Sequence, residues 1–183
     1  GTWEFTVNQY VVDYKFESTN TDKELPKEII DQLPTVGSVE HGKTVNAPET
    51  EYKDVKVTDG VWSFKGWTPA KYENVTGNVE FVGKWEFTKN TYSVIYEFVS
   101  GTKNKELPKE VINLLPSDDT KYEHGSDVTA ITPDKTTVVV ADGTWTFKGY
   151  DKDKAENISS AVKFIGTWEF TVNQYVVDYK FES

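Results

Sequence analysis

The chain has 183 residues and a formal net charge of −10, and it contains no cysteine, methionine or arginine. Without cysteine the chain can form no disulfide or thiolate metal site. The absence of arginine and the negative net charge disfavour nucleic acid as a partner, and the negative charge also disfavours anionic membranes. No apolar stretch reaches the roughly 18 residues of a membrane span, while the 14% aromatic content favours packed cores over disorder.

The chain begins and ends on the same 18 residues, GTWEFTVNQYVVDYKFES, at positions 1–18 and 166–183. An imperfect third copy lies near the middle, so that Trp3, Trp85 and Trp168 are 82 and 83 residues apart. Further segments recur at the same spacing. An internal repeat of about 80 residues therefore organises the sequence.

Alternation of apolar and polar residues predicts most elements of the first repeat. Long half-buried strands are expected at 10–16 and 79–87. A shorter strand at 53–58, a tight Asp-Gly turn at 59–60 and a strand carrying aromatics at 62–64 form a predicted hairpin.

One segment breaks the period of two and predicts a helix. Leu25, Ile29 and Leu33 are four residues apart, Pro26 suits a first helical position, and Pro34 ends the run. A helix of about two turns is marginal alone, so we expect its apolar stripe to pack on the sheet.

These elements predict an α+β, mainly β fold: two tandem repeats of about five strands and one short helix each, arranged end to end. We expect a β-grasp-like order in which the first and last strands of a repeat run parallel at the centre of the sheet, because a rod needs its chain to leave at the pole opposite to where it enters. Residues 1–5 are then the last strand of a preceding repeat, 6–87 repeat one, 88–171 repeat two, and 172–183 the first strand of a following repeat. A duplication added at one end is the alternative explanation of the identical termini.

The predicted linker between the repeats, residues 88–91, contains neither glycine nor proline. Because it is only four residues long, we expect it to allow little bending between the repeats. Strand parity places most aromatic side chains on the core face with the valines, but two residues that follow a Phe-Lys-Gly segment fall outside this pattern. The candidate contacts with a neighbouring repeat or a ligand are Trp67, Tyr150, Thr88, Lys89, Asn90 and Thr91.

The two histidines, His41 and His124, each lie in Glu-His-Gly without partners at metal-binding spacing. We therefore favour turn histidines with a structural hydrogen bond over a metal site. The acidic segments 118–119 and 151–153 could suggest calcium, but they lack EF-hand spacing and are absent from the first repeat, which favours loop charge.

Glu106 and Glu110 are four residues apart and could form an acid–base pair, but the adjacent lysines favour a charged helix surface. No Gly-x-Ser-x-Gly nucleophile motif is present. The sequence thus predicts no catalytic, cofactor-binding or metal-binding residue, and we expect that the protein is not an enzyme.

The second repeat resembles the SHIRT domain (Streptococcal High Identity Repeats in Tandem). The resemblance rests on YSVIYEFVSGTKNKELPKEVINLLP at 92–116, YEHGSDVTAITPDKTTVVVADGTWTFKGY at 122–150 and VKFIGTWEF at 162–170. The first repeat fits more loosely, since Ser-Thr-Asn at 18–20 replaces the Ser-Gly-Thr of the family pattern.

The resemblance implies a structural spacer, or stalk, in cell-wall-anchored surface proteins of Gram-positive cocci. Such repeats lie outside the cell, hold a terminal adhesin away from it, and have neighbouring repeats of the same chain as their partners. A weak adhesive module that binds host glycan or protein through exposed aromatics is the alternative. A lysine–asparagine isopeptide bond is known in other Gram-positive stalk domains, but nothing in this sequence singles out a pair.

Overall fold

A computed structural model describes all 183 residues and divides into two compact units, Gly1–Asn90 and Thr91–Ser183. The units share one order of elements, and each is mainly β-structure with a single four-residue helix. Neither helix has the length or the apolar character needed to cross a membrane.

The first unit contains seven strands and one helix. They are β1 (Gln9–Ser18), α1 (Lys27–Ile30), β2 (Gly37–Glu40), β3 (Val45–Asn46), β4 (Val55–Val57), β5 (Gly60–Thr68), β6 (Lys71–Tyr72) and β7 (Val79–Lys89). The second unit contains eight strands, because the counterpart of β1 is interrupted at one residue, Ser93. They are β8 (Thr91–Tyr92), β9 (Val94–Ser100), α2 (Lys109–Ile112), β10 (Tyr122–Glu123), β11 (Val128–Thr129), β12 (Thr137–Val140), β13 (Gly143–Tyr150), β14 (Lys154–Ala155) and β15 (Val162–Val172).

The main sheet of the first unit has the order β2-β1-β7-β5-β4. Its first and last long strands, β1 and β7, are parallel neighbours in register from Val12 opposite Val79 to Ser18 opposite Trp85. The other pairs in this sheet are antiparallel. The prediction that the terminal strands run parallel at the centre of the sheet is confirmed for this unit.

The main sheet of the second unit has the order β12-β13-β15-β9, with β9 parallel to β15. The predicted central position is wrong for β9, which lies at the edge because β10 pairs only with β8. The segment from Pro116 to Glu123 is one residue longer than its counterpart from Pro34 to Glu40, and most of it is a loop. The parallel pair is thus common to both units. In the first unit β2 flanks this pair, whereas in the second unit no strand of the main sheet lies beyond β9.

The helix α1 has one turn rather than the predicted two, since the bonds to the carbonyl four residues back end at Asp31 and those of Gln32 and Leu33 reach back only three residues. Its predicted stripe is present: Ile29 is fully buried, and Leu25 and Leu33 pack against the same core. Pro26 occupies the N-cap position in an extended conformation. Packing on the sheet, rather than helix length, therefore holds this segment.

Each unit is built around tryptophans on its central strands. Trp62 and Trp85 are buried in the first unit, and Trp145 and Trp168 in the second. Residues 1–8 and 173–183 lie outside the strands and are exposed. Val172 is the last residue of β15 and not the start of a further strand. The interpretation of 1–5 and 173–183 as strands of further repeats stays a prediction.

Candidate functional site at the end of each unit

The two aromatic residues expected outside the core, Trp67 and Tyr150, pack against the cores of their own units, so that expectation is wrong. The pairing of β5 with β7 shifts between Phe64 and Gly66, and an equivalent shift precedes Tyr150 in β13. A β-bulge of this kind adds a residue to one strand and reverses the side-chain alternation beyond it. Gly66 supplies the required backbone, with φ of 122°.

The ring of Trp67 is enclosed by other aromatic rings. It stacks on Phe16 with centroids 5.4 Å apart and meets Phe64 and Tyr14 edge to face. Its Nε1 is buried and has no hydrogen-bond acceptor. Because Phe16 covers one face of the indole, little of that face is left for a sugar to stack on.

Tyr150 takes the place of Trp67 in the second unit and is fixed by a hydrogen bond. Its hydroxyl donates to the carbonyl oxygen of Ile131 at 2.7 Å, and its ring packs edge to face on Phe147. Burial, with a smaller contribution from Tyr96, raises the pKa of Tyr150 to about 12. The role of Trp67 and Tyr150 in contacts with a neighbouring repeat or a ligand stays a prediction.

The predicted linker at 88–91 is almost entirely strand. Thr88 and Lys89 are the last residues of β7, and Thr91 is the first residue of β8. Only Asn90 lies outside a strand. The segment that connects the two units is therefore one residue long, and the predicted length of four was wrong. The repeat pattern did not show this, because the ends of strands are poorly marked in a sequence.

Asn90 is tied to the hairpin turn of its own unit. Its backbone N–H donates to the carbonyl of Asp59 at 2.9 Å, and its Nδ2 donates to the carbonyl of Thr58 at 3.3 Å. In the second unit Asn173 makes the same two bonds to the turn at 141–142, at 2.8 and 3.3 Å. The residue that follows the last long strand is thus fixed in the same way in both units.

A lysine closes the same end of each unit. Lys23 donates to Asp59 at 2.6 Å and lies 4.3 Å above the centre of the Phe87 ring. The second unit repeats both contacts with Lys105, Asp142 and Phe170, at 2.8 and 4.2 Å. Such cation–π contacts at partly exposed sites contribute about 0.5–1 kcal/mol each. The lysine therefore covers an aromatic ring of the last strand while it binds the turn.

The turn itself requires glycine. A Cβ on Gly60 would lie 2.3 Å from the carbonyl oxygen of Thr88 and 2.5 Å from the Phe87 ring, and Gly143 is equally crowded in the second unit. The close approach lets the hairpin pack directly onto the last strand. We call the turn glycine, the lysine and the asparagine of each unit its exit clamp: Gly60, Lys23 and Asn90 in the first unit and Gly143, Lys105 and Asn173 in the second.

The histidines lie toward the opposite end of the strand pair and are hydrogen-bonded. Nδ1 of His41 is 2.9 Å from the hydroxyl of Tyr10, and Nδ1 of His124 is 3.0 Å from that of Tyr92. The prediction of turn histidines with structural hydrogen bonds is confirmed. No group of three or more metal-ligating side chains occurs in the chain.

The acidic loop residues are bound by groups of the protein itself. Asp118 accepts from the Tyr122 hydroxyl at 2.6 Å and from the Thr120 N–H at 3.0 Å, and these bonds lower its pKa. Asp151 accepts from the Ile165 N–H at 2.9 Å, which lowers its pKa as well. Both carboxylates thereby order loops of the second unit.

Glu106 and Glu110 are exposed, whereas acid–base catalysis by paired carboxylates requires an enclosed site. No polar or charged residue of the chain is buried. It follows that no lysine lies in either core, where an isopeptide bond would be shielded.

Sequence reasoning missed most of the exit clamp, although a signal was present. Asn8, Asn90 and Asn173 are spaced by 82 and 83 residues, like the tryptophans, and this marks one equivalent position in successive repeats. Lys23 and Lys105 also recur, 82 residues apart, but this recurrence does not identify the partners of the lysine, which become its neighbours only when the sheet forms.

Each unit thus combines a mixed sheet, a parallel pair of terminal strands and a clamp at the exit, which defines a class of tandem β-rich repeats. The SHIRT domain profile matches residues 8–88 and 90–171. The chain belongs to the SHIRT domain family. A search of curated proteins found no match.

Solved structures of streptococcal SHIRT domains are similar to this chain. Domains 3-4 of a cell surface protein are 40% identical, with 90% of this chain and 99% of that chain covered and a TM-score of 0.63. Domain 10 is 51% identical, with 45% of this chain and all of that chain covered and a TM-score of 0.44. Domain 2 is 48% identical over 45% of this chain and 99% of that chain, with a TM-score of 0.36.

Proposed function

We propose that this chain is a structural spacer, a stalk segment that projects another part of its parent protein from a bacterial cell surface. The observation that carries the proposal is the parallel pairing of the first and last long strands in each unit. A chain that enters and leaves a unit along parallel neighbours is displaced along the strand direction across that unit. A pair of antiparallel terminal strands would bring it back to the side where it entered.

The displacement can be estimated for one unit from its register. Gln9 lies three residues before Val12, and Lys89 lies ten residues after Val79, the partner of Val12. At about 3.3 Å per residue, the chain advances by about 40 Å per unit. We infer that the parallel central pair and the connecting helix form a β-grasp-like order and that successive units are arranged end to end.

The parallel pair also suits a segment under tension. Force applied between the two ends of a unit would act along β1 and β7 in opposite directions. The hydrogen bonds between these strands lie across that direction and would have to break together. The exit clamp adds resistance, since Asn90 and Lys23 tie the end of β7 to the hairpin turn.

The location and the partners are part of the same proposal. The solved SHIRT domains 3-4, to which this chain is similar, come from a cell surface protein. We infer an extracellular position for this chain, attached to the cell wall through other regions of its parent, with neighbouring repeats as its partners. The one-residue connection at Asn90 supports limited bending between units.

Small-angle X-ray scattering of the chain tests the spacer. We expect an elongated particle with one dominant length, and a broad distribution of lengths would count against a stiff stalk. A glycan array separates the spacer from an adhesive module. Reproducible glycan binding that is lost in Trp67→Phe or Tyr150→Phe, with the fold retained, would favour adhesion instead.

A further inference from the structure

The strand β12 has a free backbone edge. It is the last strand of its sheet and pairs only with β13. The Phe147 N–H donates to the Thr136 carbonyl at 2.8 Å, which fixes the alternation of bonded and non-bonded pairs along this antiparallel ladder. Thr137 and Val139 fall at non-bonded positions. Their N–H and C=O groups therefore point away from β13.

The outer surface of this edge is apolar and uncharged. Val139 is 78% exposed, and residues 136–141 carry no charge. Natural sheets commonly protect such edges with an outward-facing lysine. The first unit does so: Lys56 of β4, opposite Val61, occupies the place that Val139 occupies opposite Thr144.

There is room for another strand beside β12. A shallow groove of about 260 Å³ runs along it and is bounded on the other side by α2. Its lining residues are Glu110, Leu114, Lys135, Thr137, Val138 and Val139. An open edge next to a helix is the arrangement in which an extended segment can add to a sheet.

We propose that β12 is a self-association edge, which pairs antiparallel with β12 of a second copy of this chain. A two-fold axis through the pair requires that residues facing each other point to the same side of the joined sheet. Centring the axis on Val139 places it opposite the partner's Val139 and Thr137 opposite the partner's Ala141. In this register the outward N–H and C=O groups of Val139 and Thr137 face the C=O and N–H groups of the partner strand and can form hydrogen bonds with them.

Charge disfavours one neighbouring register, and the uncharged edge favours a second copy as the occupant. A shift that centres the axis on Val138 would place Asp134 opposite the partner's Asp142, two like charges. Centring on Val139 places Asp142 opposite the partner's Thr136 and Lys135 opposite the partner's Gly143, so that no charged residue faces another. The edge is thus complementary to itself, whereas the edge of the first unit would bring Lys56 against the partner's Lys56.

The interface is small, since only four residues of each copy are in strand. Interfaces well below about 1,000 Å² are weak or transient, so association should be seen only at high protein concentration. The net charge of −10 opposes it, and added salt should strengthen it by screening that repulsion.

Sedimentation equilibrium and amide chemical shifts over a concentration series test the proposal on the whole chain. We expect the apparent mass to rise from 20.8 kDa towards twice that value, with concentration-dependent shifts at residues 137–141. Val139→Lys, which copies the protected edge of the first unit, should abolish both effects. Lys56→Val should create a second site and strengthen the association.

Both substitutions affect exposed side chains, and the amide spectra report directly whether each variant is folded. A chain that stays monomeric throughout, or one whose association survives Val139→Lys, would overturn the proposal. Shifts at 137–141 caused only by an added unrelated peptide would also overturn it, by assigning the edge to a different partner.

Discussion

Trp3 and Trp168 occupy the same position in two identical 18-residue segments, yet Trp168 is fully buried and Trp3 is 98% exposed. The later half of the segment shows the reverse, since Phe16 is buried and Phe181 is 97% exposed. Each half is thus buried in only one of its two copies. Burial here is decided by the neighbouring strands and not by the local sequence.

The two tryptophans allow a matched test of that relationship. Trp168→Ala should lower the free energy of unfolding of the second unit by about 3–5 kcal/mol, the range for a large aromatic residue removed from a core. Trp3→Ala should change this free energy by no more than about 0.5 kcal/mol, because the exposed side chain makes no packing contacts that the substitution could remove. Urea denaturation followed by circular dichroism measures both. Equal effects of the two substitutions would contradict the assignment.

The turn glycines should be intolerant of any side chain. Gly60→Ala places a methyl group against the Thr88 carbonyl, which belongs to the backbone and cannot easily move. We expect the free energy of unfolding to fall by about 1–3 kcal/mol, as it does when a core is overpacked. Gly77→Ala is the control, since no atom lies within 4 Å of the added Cβ. A neutral Gly60→Ala variant would show that the hairpin is not pressed against β7.

Tyr150 should make the second unit sensitive to alkali. Burial raises its pKa to about 12 from an ordinary value of 10.0, so between these pH values the unfolded chain releases a proton that the folded chain retains. The contribution of this group to stability is therefore complete below pH 10 and is lost as the pH rises towards 12. Denaturant unfolding across this range, with tyrosinate absorbance as the readout of ionisation, measures it.

Tyr150→Phe should remove that part of the alkaline loss, although the variant also loses the hydrogen bond to Ile131 at every pH. Tyr179→Phe serves as control, because this side chain is 85% exposed. If the stability of Tyr150→Phe falls between pH 10 and 12 as steeply as that of the natural chain, another group is responsible.

The strands were the most predictable part of the fold. Long alternating runs gave β1 and β7, and the need for a displaced exit gave their parallel pairing. The short strands β3 and β6 were not predicted, because two-residue pairs carry no periodic signal. The extent of the helix was overestimated, since its apolar stripe continues into the turn at Leu33.

The candidate site was harder to predict than the fold. A bulge at Gly66 turns Trp67 back to the core, and a count of alternating positions cannot register an inserted residue. The contact of Lys23 with Asp59 and Phe87 joins three segments that are distant in sequence. The asparagine, the lysine and the turn glycine of the exit clamp each recur at the repeat spacing, but this recurrence does not show that they lie together.

The spacer role is tested most directly by a distance measured across both units. The chain has no cysteine, so Gln9→Cys and Thr171→Cys, both at exposed strand positions, can carry a donor and an acceptor dye for single-molecule energy transfer. Each unit advances the chain by about 40 Å, so two units placed end to end should give one narrow population with a distance of about 80 Å between the dyes. A broad distribution, or a dominant distance close to that of a single unit, would contradict the proposed stalk.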